Sequence, residues 1–209
     1  MGFFWDLLGI GSTVQQETAP FSTQGEVLTK YGQATNVNGN VVGMCEPMTN
    51  AYVKEILEGR DPSHLLKDDH RFLKESTHIE NKQYGDRSSG KMDVEHASLN
   101  DSNVPHLDLT IDKKDLTGKA VTNMLEKCRH LVFVYPTDTP PGERQTYHES
   151  YLGRSGADLQ HGCRFFDANV RGGERKGPCD DIVREFVDVT TQQYAKENIP
   201  FSIGATTIG

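Results

Sequence analysis

Helix-type and strand-type segments occupy separate stretches of this chain, and that segregation limits its fold more than any other feature. A helix is expected from Cys45 to Glu58, with Pro47 near its start and Gly59 as a natural C-cap. Asp61-Pro62 supplies an N-cap and first-turn pair for a second helix through Leu65, Leu66 and Phe72. Thr117 to Arg129 sets Ala120, Val121, Met124 and Leu125 on one helical face. Strand-type runs follow: Leu131 to Tyr135, Gln145 to Gly153, and Cys163 to Phe166. Pro136, Pro140, Pro141 and Gly142 close the first with a long turn, and Gly172 and Gly173 end the last element. Ile182, Val183, Phe186 and Val187 return to helical spacing within Asp180 to Tyr194. Helices, then an antiparallel meander, then a helix make an α+β arrangement, with the N-terminal helices packed on an antiparallel sheet.

The 209 residues suffice for one sizeable core, and with 35% hydrophobic residues some of the length is expected in polar loops. Residues 1–35 read as a lead-in, extended and Ser-, Thr-, Gln- and Gly-rich from residue 11, with one short strand at most. Residues 36–209 form the domain proper, and the polar stretch 77–106 reads as a loop insertion. The formal charge of −8, from 30 acidic and 22 basic residues without a dense Lys/Arg cluster, argues against a nucleic-acid partner. No apolar run reaches the roughly 20 residues of a membrane-spanning helix. The apolar start Met1 to Ile10 has no basic residue ahead of it and is interrupted by Asp6, so it does not read as a signal peptide, and Asp6 also stands where a myristoylation pattern wants Ser or Thr.

Four scattered cysteines, Cys45, Cys128, Cys163 and Cys179, do not suggest a disulfide framework and fit synthesis in a reducing cytosol, with later export by a route that needs no signal peptide. A metal set of His161, Cys163, Cys179 and Cys128 lacks the spacing of a zinc knuckle. There is no phosphate-binding loop or dinucleotide fingerprint, so neither a metal nor an organic cofactor is expected.

The chemistry centres on Asn40-Val-Val-Gly-Met-Cys45, which delivers a cysteine to the start of a helix. The unpaired N–H groups there carry partial positive charge and favour the thiolate, the form that attacks. Such a thiol needs a base, and histidine suits near neutral pH. His148 sits in the second strand, between Tyr147 and Glu149. His161, in Gln160-His161-Gly162-Cys163, is the competing base. His148 is preferred because two facing strands hold a side chain in better-defined geometry than a turn does. Asp167, after Phe165-Phe166, can hold the imidazole and stabilise its protonated form, although Asp-Ala-Asn is also an ordinary turn sequence. Asn40, with Asn38 as its nearest rival, can join the Cys45 N–H as an oxyanion donor.

Cysteine, then histidine, then a carboxylate is the chain order of papain-like hydrolases. Gly43-Met-Cys45-Glu-Pro-Met48 with Asn40 ahead of it resembles the nucleophile region of the YopT/AvrPphB-type cysteine proteases, bacterial effectors with a papain-like core. Phe165-Phe166-Asp167-Ala168-Asn169, followed by Gly172, Phe186 and Tyr194, resembles that family's aspartate motif and the helix after it. The resemblance implies Cys45 as nucleophile, His148 as base, Asp167 as its orienter and Asn40 as oxyanion donor. It also implies a protein substrate and a role as an effector, made in the cytoplasm and secreted without a cleavable signal peptide. A chaperone or immunity partner would fit such a role. A cell-wall peptide amidase uses a similar cysteine–histidine pair and is the alternative enzyme. A non-catalytic binding module on a hydrolase scaffold is the alternative outside catalysis.

Overall fold

The strand-type segments meet in one sheet. In the computed structural model, which describes residues 19–35, 43–88, 96, 99–100, 102–137, 147–193 and 199–207, the sheet has six strands in the order β1-β6-β2-β3-β4-β5. They are β1 (Leu107–Ile111), β2 (His130–Pro136), β3 (Tyr147–Arg154), β4 (Cys163–Phe166), β5 (Glu174–Gly177) and β6 (Phe201–Thr206). Every neighbouring pair is antiparallel. The expected α+β class is the class found.

Alternation along the strands splits the core in two. Leu131 and Phe133 of β2, Leu152 of β3 and Phe165 of β4 pack with α5 (Gly118–Lys127) and α6 (Cys179–Gln193), through Val121, Leu125, Ile182 and Phe186. Val132, Tyr151 and Phe166 point the other way. They meet α1 (Gln24–Lys30), α2 (Cys45–Leu57), α3 (Ser63–Leu66) and α4 (Asp69–Ser88), through Leu28, Met48, Tyr52, Leu65 and Phe72. The sheet is therefore covered on both faces, as its long apolar β2 requires.

Several elements depart from the sequence expectation. The lead-in carries a helix, α1, capped by Thr23 at its start, where at most a strand was expected. Phe21, Val27 and Leu28 are buried, so residues 19–31 share the core of the α2 side. The helix expected from Asp61 to Phe72 is two helices, α3 and α4, separated at Lys67-Asp68. α4 runs on to Ser88, well into the stretch read as a loop insertion. Strands β1, β5 and β6 were not anticipated. The cysteines also hold a surprise: Cys163 and Cys179 form a disulfide, tying the start of β4 to the start of α6.

Candidate active site

Cys45 is the first residue of α2, and Met44 before it offers no side-chain cap. The helix is pinned to the sheet one turn later, where the buried Thr49 hydroxyl donates to the Glu149 carbonyl of β3 at 3.1 Å. A further turn on, Tyr52 stacks on Phe166 of β4 at 4.4 Å and hydrogen-bonds the Glu174 carboxylate of β5. Three successive contacts on one helical face thus fix the start of α2 against the beginning of β3.

β3 brings the histidine. His148 pairs in register with Tyr135 of β2, and their rings lie 5.3 Å apart. His148 Nε2 is 2.9 Å from Asp167 Oδ1, and both side chains are buried. Tyr135 supports the carboxylate from the other side: its hydroxyl lies 3.2 Å from Ser150 Oγ and 3.5 Å from Asp167 Oδ2, and its one proton can go to Asp167 while it accepts from Ser150.

Asp167 is held by a closed loop. Its N–H donates to Gly173 O at 3.0 Å, and Val170 N–H donates back to Asp167 O at 3.1 Å. Gly173 has φ +73°, and a Cβ there would stand 2.8 Å from the Phe166 ring. Glycine is therefore the residue the loop needs. Asp167 Oδ1 also accepts from the Asn169 N–H at 2.7 Å, an Asx turn. The turn reading and the imidazole-orienting reading of this aspartate are both realised in one side chain.

With Nε2 directed at Asp167, Nδ1 is the nitrogen left for the thiol. Burial alone would push the Cys45 thiol up, but the charge and hydrogen bond of His148 outweigh it and bring the thiol below its ordinary 9.0. Burial likewise acts to lower His148, and the Cys45 thiolate and Asp167 together raise it from 6.5 to about 10. Each group favours the charged form of the other. That mutual shift is what a thiolate–imidazolium pair requires.

Cys45, His148 and Asp167 therefore converge. Asn40 and Asn38 lie outside the described residues. The competing base, His161, sits on an exposed 3₁₀ turn, where its Nδ1 is 2.8 Å from Asp158 Oδ1. The metal set considered with it loses two thiolates to the Cys163–Cys179 disulfide. Glu55, His64 and Glu75 bring one ligand atom each within 4.8 Å at the far end of α2. There Arg60 already neutralises Glu55 through bonds of 2.8 and 2.5 Å. A cavity of about 890 Å³ beside that cluster includes none of Cys45, His148 and Asp167.

Two contributors escaped the sequence reading. Gln24, on α1, accepts from the Met44 N–H at 2.7 Å and donates to Asn169 Oδ1 at 2.5 Å. Asn169 was visible only as part of a motif, and its Nδ2 lies 3.4 Å from His148 Nδ1. Nothing in the local sequence marks Gln24; only the tertiary path of α1 brings it here. Among the described residues no helix is long and apolar enough to cross a membrane.

The sequence matches no family model and no curated protein. Among solved structures, the fold is similar to that of the Pseudomonas avirulence protein AvrPphB, with a TM-score of 0.52 at 10% identity, over 78% of this chain and 90% of that one. The likeness is one of fold, and it agrees with the α+β architecture expected from the order of helix-type and strand-type segments.

Proposed function

We propose that this chain is a cysteine peptidase that cleaves an amide bond in a protein substrate. Cys45 attacks the scissile carbonyl and forms a thioester, releasing the amine. His148 takes the thiol proton and returns it to the leaving nitrogen, then activates the water that hydrolyses the thioester. Asp167 orients His148 and stabilises its protonated form. The Cys45 N–H and Asn40 hold the oxyanion.

The observation that carries this reading is the convergence of a helix-terminal thiol, a buried imidazole and a buried carboxylate from three separate elements. The exposed His161 also has a carboxylate partner, Asp158, but that pair is solvated and, among the described residues, has no thiol beside it. The likeness of fold to an avirulence protein supports a role as a secreted effector. The Cys163–Cys179 disulfide fits a protein that works in an oxidising compartment after export.

The test is cleavage of a peptide library, followed by mass spectrometry, with wild type and Cys45→Ala at matched melting temperature. Wild type is expected to yield defined fragments and the variant none. Equal turnover by both would remove the proposal. Release of peptide stems from purified peptidoglycan, with the peptide library untouched, would reassign the substrate to the cell wall.

A further inference from the structure

Gln24 is remote from the nucleophile in sequence, yet its side chain spans the two segments that build the site. Its Oε1 accepts from the Met44 N–H at 2.7 Å, its Nε2 donates to Asn169 Oδ1 at 2.5 Å, and its own N–H donates to Ala168 O at 2.7 Å. Asn169 Nδ2 lies 3.4 Å from His148 Nδ1.

The polarity of this chain of amides is set at its start. A backbone N–H can only donate, so Gln24 must turn its oxygen to Met44 and its NH₂ to Asn169. Asn169 must then turn its oxygen to Gln24 and its NH₂ to the imidazole. An amide N–H at Nδ1 finds an acceptor only while Nδ1 carries no proton. Cys45 Sγ lies 3.8 Å from the Tyr147 carbonyl, which can accept from a thiol and offers nothing to a thiolate, whereas the Glu149 and Glu46 N–H groups favour the thiolate at the same sulfur.

We propose that Gln24 and Asn169 are positioning residues forming an amide relay from the Met44 N–H to His148 Nδ1, and that the relay biases the resting site toward its neutral thiol–imidazole form. This inference rests on the peptidase reading and adds a control on its nucleophile. When the relay opens, the proton on Sγ passes to Nδ1, leaving thiolate and imidazolium. Cys45 from α2, Asp167 at the end of β4 and Tyr135 from β2 face the imidazole. Asp167 favours the ion pair whether or not the relay is made, so the relay raises the pH at which the pair forms without preventing it. Asn169 is exposed and Gln24 half-buried, so an arriving substrate backbone can take over their hydrogen bonds.

The experiment uses the full chain as wild type, Asn169→Ala, Gln24→Met and the double variant. It measures the rate of Cys45 alkylation by iodoacetamide against pH, with the adduct located by mass spectrometry, and the melting temperature. Each single variant is expected to lower the apparent pKa of alkylation by about half a unit, which makes it about threefold faster at pH 6. The double variant should go no further than either single one. A role in packing alone would move the melting temperature and leave the pH profile in place. A profile that is unchanged or moves up in either single variant, or shifts that add in the double, overturns the relay. If Cys45 reacts no faster at pH 6 than a free thiol of ordinary pKa in wild type and in every variant, the peptidase reading falls and the relay with it. A reactive wild type with superimposable variants sinks the relay alone.

Discussion

His148 Nε2 lies 2.9 Å from Asp167 Oδ1 with both side chains buried, His148 on β3 and Asp167 just past the end of the neighbouring strand β4. Asp167 directly follows Phe166, the last residue of β4, so the carboxylate inherits the rigidity of the sheet. A contact of this kind fixes the tautomer of the ring and stabilises its charge. Asp167→Asn keeps the shape and removes the charge. We expect kcat to fall on the order of 10⁴-fold, by analogy with the loss seen when a triad aspartate becomes an amide. Steady-state kinetics on any cleaved peptide would check this, and an unchanged kcat would refute the orienting role.

The same pair sets a pH profile. The thiolate forms below the ordinary thiol value of 9.0, and His148 keeps its proton up to about 10. A plot of kcat/KM against pH should rise as the pair forms and fall near pH 10, as the imidazolium is lost. Stability follows the same sign. A histidine whose folded pKa is raised contributes fully below 6.5, and that contribution is lost as pH rises through about 10. Denaturant melts from pH 6 to 11 should therefore show a loss in wild type that is absent in His148→Ala.

Much of the site could be read from residue order because its chemistry is local in sequence. Cys45 at a helix start, His148 within a strand and Asp167 after two phenylalanines each carry a signal of their own. The parts that escaped depend on distant packing. α1 is only seven residues long, too short to show a periodicity, and it is held by Val27 and Leu28 in the core. α4 continues through Ser76 and Thr77, whose hydroxyls bond back to Phe72 and Leu73 carbonyls within the helix. Polar residues of that kind suggest a loop when read alone. β6, Phe-Ser-Ile-Gly-Ala-Thr, has a strand's alternation, but its small residues hide it. Gly204 is there because His96 and Leu99 press on it, at 2.6 and 2.7 Å from where a Cβ would stand.

The Cys163–Cys179 bond closes a loop with a sequence separation of 16. In the chain-entropy account, a loop of that length stabilises by about 3 kcal/mol. Cys163→Ser with Cys179→Ser, or reduction of wild type, should lower the urea midpoint accordingly. Identical midpoints with and without reductant would show that the bond contributes nothing in solution.

Gly153 provides a packing test away from the chemistry. It pairs in register with His130, whose Nδ1 is 2.8 Å from the Tyr151 hydroxyl. Burial, with Arg129, Arg164 and Arg154 nearby, pushes that histidine down to about 3, so it stays neutral. A Cβ at position 153 would stand 2.1 Å from the Tyr151 oxygen and 3.0 Å from His130 Nδ1. Both rings are buried and cannot swing aside. Gly153→Ala should cost about 2 kcal/mol of stability by chemical denaturation, within the range for overpacked cores. A change under about 0.5 kcal/mol would mean the rings have room after all.

β6 lies between β1 and β2, so an interior strand follows both of its neighbours, and every other described strand, in the chain. Until it arrives, β1 has no partner among the described strands and β2 is paired with β3 alone. The sheet therefore cannot be completed piecemeal from its N-terminal side, because β2 gains its second partner only once residues 201–206 have been made.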